Sequence, residues 1–302
     1  MSLNIDGILP INKSAGMTSH DVVAKLRRIL GIKKIGHTGT LDPDVTGVLP
    51  ICIGKATRLS DYLMEMPKTY KCQLTFGIST VTQDFSGEIT ENVRINNFDI
   101  KILESVIRNF VGEIEQVPPM YSSVKVDGKK LYELAREGKE ITRKPRKITI
   151  YSIDIEKIDI SKDYPEIDFT VKCSKGTYIR TLCVDIGLKM GYPAHMSKLQ
   201  RTESGSFKIE NSYTIEDVED YLKGNKLDEI IFSMADSLPS FNELILSNED
   251  ITNKIFNGQT IFIDELESYE GTFKILNKER DLIALYEKEK NYKYAKPLKV
   301  FK

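Results

Sequence analysis

The chain has 302 residues, 40% hydrophobic and 29% charged, which is length for one large domain plus a small one, or for two domains. Its 43 Lys and Arg offset 44 Asp and Glu to a net charge of −1, so bulk charge does not advertise a nucleic-acid partner. No apolar run approaches the ~18 residues of a membrane span, and Met1–Asp6 has neither a basic nor an apolar leader, so a cytoplasmic protein is expected.

The four cysteines, Cys52, Cys72, Cys173 and Cys183, lie far apart in apolar stretches and read as buried free thiols. Three scattered histidines and no ligand-spaced cluster argue against a structural zinc site.

In chain order, Ile8–Ile11 reads as a short strand and Asn12–Gly16 as a turn. Thr18 caps a helix with Asp21 three residues on; Val22, Val23, Leu26, Ile29 and Leu30 form its stripe and Gly31 ends it. Gly36–Pro50 is a Gly- and Pro-rich loop holding His37 and Asp42, and it runs into the apolar strand Val48–Ile53. On pattern alone this is either an Asp-Pro turn or a catalytic loop carried by a rigid scaffold.

A helix is predicted over Lys55–Tyr62, a half-buried strand over Tyr70–Phe76, and a polar loop with Asp84 over Gly77–Gly87. Phe98–Val111 reads as an amphipathic helix, whereas the paired prolines make Gln116–Lys125 irregular. Ile148–Ile160 and Ile167–Cys173 alternate as strands, and Ser174–Thr177 opens a helix over Tyr178–Met190. Composition shifts near residue 238. Beyond it Ser247 caps a short helix to Phe256, followed by short strands at Thr260–Ile263, Thr272–Leu276, Leu282–Glu287 and Tyr292–Phe301.

Charge is distributed unevenly. From Asn12 to Lys34 six basic residues face one acid, Asp21, and from Lys125 to Lys147 nine face four, so each segment carries a surplus of five. Such clustering fits a phosphate-bearing partner or a solvated helix face.

Several blocks together carry a resemblance. They are Asn12-Lys13 through Gly16 and Ser19; Gly36-His37-Thr38-Gly39-Thr40-Leu41-Asp42-Pro43; Thr46–Ile51; Gly54–Thr57; and Lys68-Thr69-Tyr70. Gln116, Pro118–Ser122, Lys125, Gly128–Glu133 and Arg136–Gly138 follow, then Cys173–Leu182, Asp185–Gly187 and Ala194-His195. In this order and spacing the chain resembles the TruB family of bacterial tRNA pseudouridine-55 synthases.

The resemblance implies an α+β fold: a pseudouridine synthase core with a mixed, mainly antiparallel sheet flanked by helices, and a small β-rich PUA-like domain. It places the catalytic domain over residues 1–238, with a basic RNA-clamping insertion at about 119–147, and the RNA-binding domain over 239–302. The implied reaction converts a flipped-out uridine of the tRNA T-arm to pseudouridine, with no cofactor and no metal, by a monomer without a protein partner. Asp42 takes the catalytic position, Arg180 the arginine that pairs with it, and Tyr70 the tyrosine stacked on the base. His37 fills the space the base vacates, Tyr178 and Leu199 line the pocket, and Lys13 contacts substrate. Read without the resemblance, Tyr70 would be a core residue, Arg180 a helix-end arginine, and His37 a loop imidazole bonded to backbone.

Three departures stand out. Asp44-Val45 replaces an apolar-Ala pair and puts a second carboxylate near Asp42, where like-charge repulsion favours Asp44 facing solvent. Gln200 stands where arginine is usual, and Val81–Asp84 is a loose version of the acidic loop. Two rivals remain: an RNA-binding module or tRNA-folding chaperone without catalysis, and a relative that is guided by a separate RNA or acts on another RNA.

Overall fold

The computed structural model describes residues 5–126 and 128–302; residues 1–4, and Asp127 of the basic stretch, lie outside the described residues. The chain forms two compact units. The first comprises residues up to Asp44, Val48–Met64 and Ser206–Lys302; the second comprises Val45–Gly47 and Glu65–Gly205.

In the first unit, strand Gly7–Lys13 is buried almost throughout and lies beside strand Thr46–Ile53. Helix Ser19–Leu30 begins at the expected capping box: the Thr18 hydroxyl accepts from Asp21 N at 3.1 Å and the Asp21 carboxylate accepts from Thr18 N at 2.9 Å. Gly31, at φ 66°, takes the left-handed turn that ends it. Strand Ile35–His37 pairs antiparallel with Ile51–Ile53. The helix predicted over Lys55–Tyr62 is a 3-10 turn, Gly54–Leu59, running into helix Ser60–Glu65. The Thr57 and Ser60 hydroxyls each bond the carbonyl three residues back (2.8 and 3.0 Å), which favours the tighter winding.

The same unit carries a sheet in the order Asn242–Ile245, Gly271–Leu276, Leu282–Lys288, Lys296–Val300 over a core that includes Leu244, Ile255, Phe273, Ile275 and Tyr286. Its first strand is absent from the sequence-based expectation. Thr260–Ile263 is no strand; only Ile261 pairs there, as an isolated bridge to Ala295. Asn248, not Ser247, caps helix Glu249–Phe256, accepting from Asp250 N (2.9 Å) and Ile251 N (3.3 Å). Helix Ile215–Lys223 also lies outside the expected elements, although its capping box, Thr214 with Asp217, is a sequence-level signal of its start.

The second unit is built on five antiparallel strands in the order Ala194–Ser204, Lys68–Phe76, Glu166–Cys173, Arg146–Asp159, Gly112–Gln116. Thr46 and Gly47 add a short parallel pairing to Gln200 and Arg201, so the sheet is mixed and mainly antiparallel. A Cβ at Gly47, which sits at φ 108°, would overlap the Arg201 carbonyl oxygen and force the backbone to shift. Helix Ile179–Met190 covers one face of the sheet, its Cys183 Sγ 3.5 Å from Cys72 Sγ. All four cysteines are free and buried. Strand Ala194–Ser204 is a further element without a sequence signal, because two bulges, at Met196/Lys198 and Arg201/Glu203, break its alternation. Among the described residues no helix is long and apolar enough to cross a membrane.

Candidate active site

The Asp42 loop is held from both sides. Before Asp42, the Ser19 hydroxyl accepts from Leu41 N (2.9 Å) and donates to Leu41 O (3.3 Å). After it, the Pro43 carbonyl accepts from the Lys13 ammonium (2.9 Å) and from Gly16 N (3.0 Å). Lys13 is only 1% exposed, and its ammonium also donates to the carbonyls of Ser14 (2.9 Å) and Met17 (2.7 Å). Three carbonyl acceptors converge on this buried ammonium. Lys13 thereby braces the loop. Asp42 is half-buried and Asp44 is exposed. His37 is half-buried; its Nδ1 accepts from Gly39 N at 3.3 Å and its ring meets His20 edge-on, centroids 5.3 Å apart.

The second unit carries Tyr70 and Leu199 on strands of its sheet, and Tyr178 and Arg180 at the start of helix Ile179–Met190. Tyr70 stands opposite Val171 on one neighbouring strand and Arg201 on the other, while Leu199 stands opposite Cys72. Tyr70 and Cys72 share a face because side chains alternate along a strand, and Cys72 touches helix Ile179–Met190. Tyr70 is half-buried, not a core residue. Tyr178 precedes that helix, and the Gln116 side chain grips its backbone twice: Tyr178 N donates to Gln116 Oε1 (2.8 Å) and Gln116 Nε2 donates to Tyr178 O (3.1 Å).

Arg180 is no solvent-facing helix-end arginine. It is 6% exposed, and its guanidinium donates to the carbonyls of Thr82 (2.9 Å) and Tyr121 (2.8 Å) and lies 3.5 Å from the Asp84 carboxylate. Asp84 is itself fixed by the hydroxyls of Thr82 (2.7 Å) and Ser86 (2.6 Å) and by Ser86 N (3.0 Å). The loop that carries Asp84 is docked in turn. Phe85 N donates to Met196 O (3.1 Å), Met196 N to Gln83 O (3.0 Å), and the Thr181 hydroxyl to Gln83 Oε1 (2.8 Å). A buried guanidinium anchored this way presents a fixed positive field, the environment that keeps a carboxylate ionised.

Two buried cations carry no clear mark in the sequence. Arg201 is 1% exposed and Lys68 6%. Burial, reinforced by the Arg201 charge, pushes the Lys68 ammonium down to about 8. Their only signal is a charge set in an otherwise strand-like context, which reads more readily as an exposed position.

In architecture this is a pseudouridine synthase core with a β-rich C-terminal part, similar to the crystal structure of a Cbf5–Nop10–Gar1 complex: TM-score 0.75, 27% identity, covering 98% of this chain and 85% of that one. The N-terminal domain of the TruB family pseudouridylate synthases matches residues 27–179, and the tRNA pseudouridylate synthase B C-terminal domain matches residues 180–239. A Staphylococcus saprophyticus protein named tRNA pseudouridine synthase B is 47% identical over 302 residues, 98% of this chain and 99% of that one. A protein of the same name from Geobacillus thermodenitrificans is 44% identical over 306 residues, 99% of this chain and 100% of that one. The chain belongs to the TruB family of pseudouridylate synthases.

Proposed function

We propose that this chain isomerises uridine to pseudouridine at position 55 in the T-loop of tRNA. The observation that carries the reading is the end-to-end likeness to proteins named tRNA pseudouridine synthase B. In the reaction the C1′–N1 bond breaks, the base turns, and a C1′–C5 bond forms; N1 gains a proton and the C5 proton is lost to water. Atoms balance without an electron carrier, so the proposed reaction calls for no cofactor.

Asp42 is the catalytic carboxylate in this proposal. Arg180, oriented by Asp84, keeps it charged, and Tyr70 stacks on the extruded base. His37 occupies the gap left in the T-loop, recovering part of the few kcal/mol that unstacking costs. Tyr178 and Leu199 line the base pocket, and Lys13, which also braces the loop backbone, contacts substrate. Residues 1–238 form the catalytic domain and residues 239–302 a PUA-like RNA-binding domain. The basic stretch at about 119–147 clamps the T-arm. The protein works as a cytoplasmic monomer.

The names and full-length coverage of the curated relatives favour this reading over a guided enzyme, and the doubly braced Asp42 loop favours it over a chaperone that needs no carboxylate. Carbodiimide treatment and primer extension on an unmodified tRNA transcript check it. A reverse-transcription stop one nucleotide 3′ of position 55, kept after mild alkali, is expected after incubation; a transcript without that stop, or with stops elsewhere only, contradicts the reading.

A further inference from the structure

The C-terminal sheet carries an aromatic group that its core does not use. The Ile261–Ala295 bridge, with N–O distances of 3.0 Å both ways, turns those two side chains inward, at 2% and 0% exposure. Their neighbours Phe262 and Tyr294 therefore turn outward. The Phe262 and Tyr294 rings have centroids 5.5 Å apart, and Tyr292 extends the row 4.9 Å from Tyr294. Phe262 is 69% exposed and Tyr292 44%. A row of rings left open to water on a fold with an otherwise filled core needs a partner with flat apolar faces.

The charges around the row say which partner. Lys296 lies over the Tyr294 ring at 5.6 Å, and Lys290, Lys293 and Lys296 are all exposed. Glu287 and Glu289 share a small concavity with Tyr292, Tyr294 and Lys296. An aliphatic protein surface would use neither set. Unpaired RNA uses both: bases stack on the rings, phosphates meet the lysines, and carboxylates accept from exocyclic amino groups on the base edge.

We infer that Phe262, Tyr292 and Tyr294 form a stacking platform for unpaired RNA, with Glu287 and Glu289 favouring amino-bearing bases such as cytosine over uracil. The inference deepens the RNA-binding role proposed for residues 239–302 and rests on it, but not on the chemistry of Asp42.

Fluorescence anisotropy with labelled octacytidylate and octauridylate tests it, using the full chain saturated with an unlabelled T-arm hairpin. Octacytidylate should bind more tightly than octauridylate. Combining Phe262→Ala, Tyr292→Ala and Tyr294→Ala should weaken octacytidylate binding by on the order of tenfold or more. Tyr292→Phe with Tyr294→Phe should retain it, and Glu287→Ala with Glu289→Ala should remove the cytosine preference. The T-arm hairpin has no unpaired tail, and the triple variant should keep the wild-type thermal midpoint, showing that the chain is folded. No binding by the wild type, or equal binding by the triple variant, overturns the platform. A hairpin left unmodified by the wild type overturns the catalytic reading and leaves the platform result standing.

Discussion

Asp42 sits between two residues whose backbones are each tied twice, Leu41 by Ser19 and Pro43 by Lys13 and Gly16. Rigidity at that position is what a carboxylate aimed at one bond of a substrate requires. The proposed role of Arg180 depends in the same way on Asp84, which fixes its guanidinium from within the second unit. Asp84→Asn should lower kcat for pseudouridine formation at least about tenfold while shifting the tRNA Kd less than about threefold. Single-turnover rates against filter binding separate the two, and an equal loss in both would assign Asp84 to RNA binding. A second carboxylate makes a pH prediction. Burial pushes Asp185 up to about 6 against the pull of Lys189. Its stabilising contribution is full below pH about 4 and is lost as pH rises through about 6. Asp185→Asn should therefore raise stability by on the order of 1 kcal/mol at pH 8 and leave it nearly unchanged at pH 4, read from thermal melts.

At the scale of elements, the periodic and capped segments are legible in the sequence: helix Ser19–Leu30 from its capping box and stripe, and strands Lys68–Phe76 and Glu166–Cys173 from alternation. Strand Ala194–Ser204 is not, although it carries Leu199 and Arg201 beside Tyr70, because its bulges and polar residues erase the two-residue period. The brace by Lys13 is equally hidden: a lysine in a short strand gives no sign that three carbonyls wait for it. Asp42, Tyr70 and Arg180 stand out through the family blocks, since local pattern alone leaves each of them an ordinary reading. The Gly47 pairing to Arg201 is the element-scale feature most open to a test. Gly47→Ala should cost about 2 kcal/mol or more, because both its φ of 108° and the Arg201 carbonyl oppose a Cβ. Urea midpoints would show this, and an unchanged midpoint would mean that the pairing is not kept in solution.

Across the whole molecule, a net charge of −1 conceals a basic stretch whose charges are not equivalent. Lys129 and Lys139 pair with Glu137, Arg143 with Glu140, and Lys147 with Glu113, whereas Lys144 and Arg146, also exposed, form no ion pair among the described residues. Replacing Lys144 and Arg146 with alanine should weaken tRNA binding without changing the site modified. It should also reduce the slope of log K against log salt by roughly 0.7–0.9 for each phosphate no longer neutralised. A slope identical to wild type would mean that other cations hold the phosphates. Catalysis by Asp42 at a uridine is the step on which the proposed function stands. Tritium release from a tRNA transcript labelled at C5 of uridine measures it directly. The wild type should release one tritium per modified site, and Asp42→Asn should release none above background while still binding the transcript. Release retained by Asp42→Asn, or no release by the wild type, would contradict it.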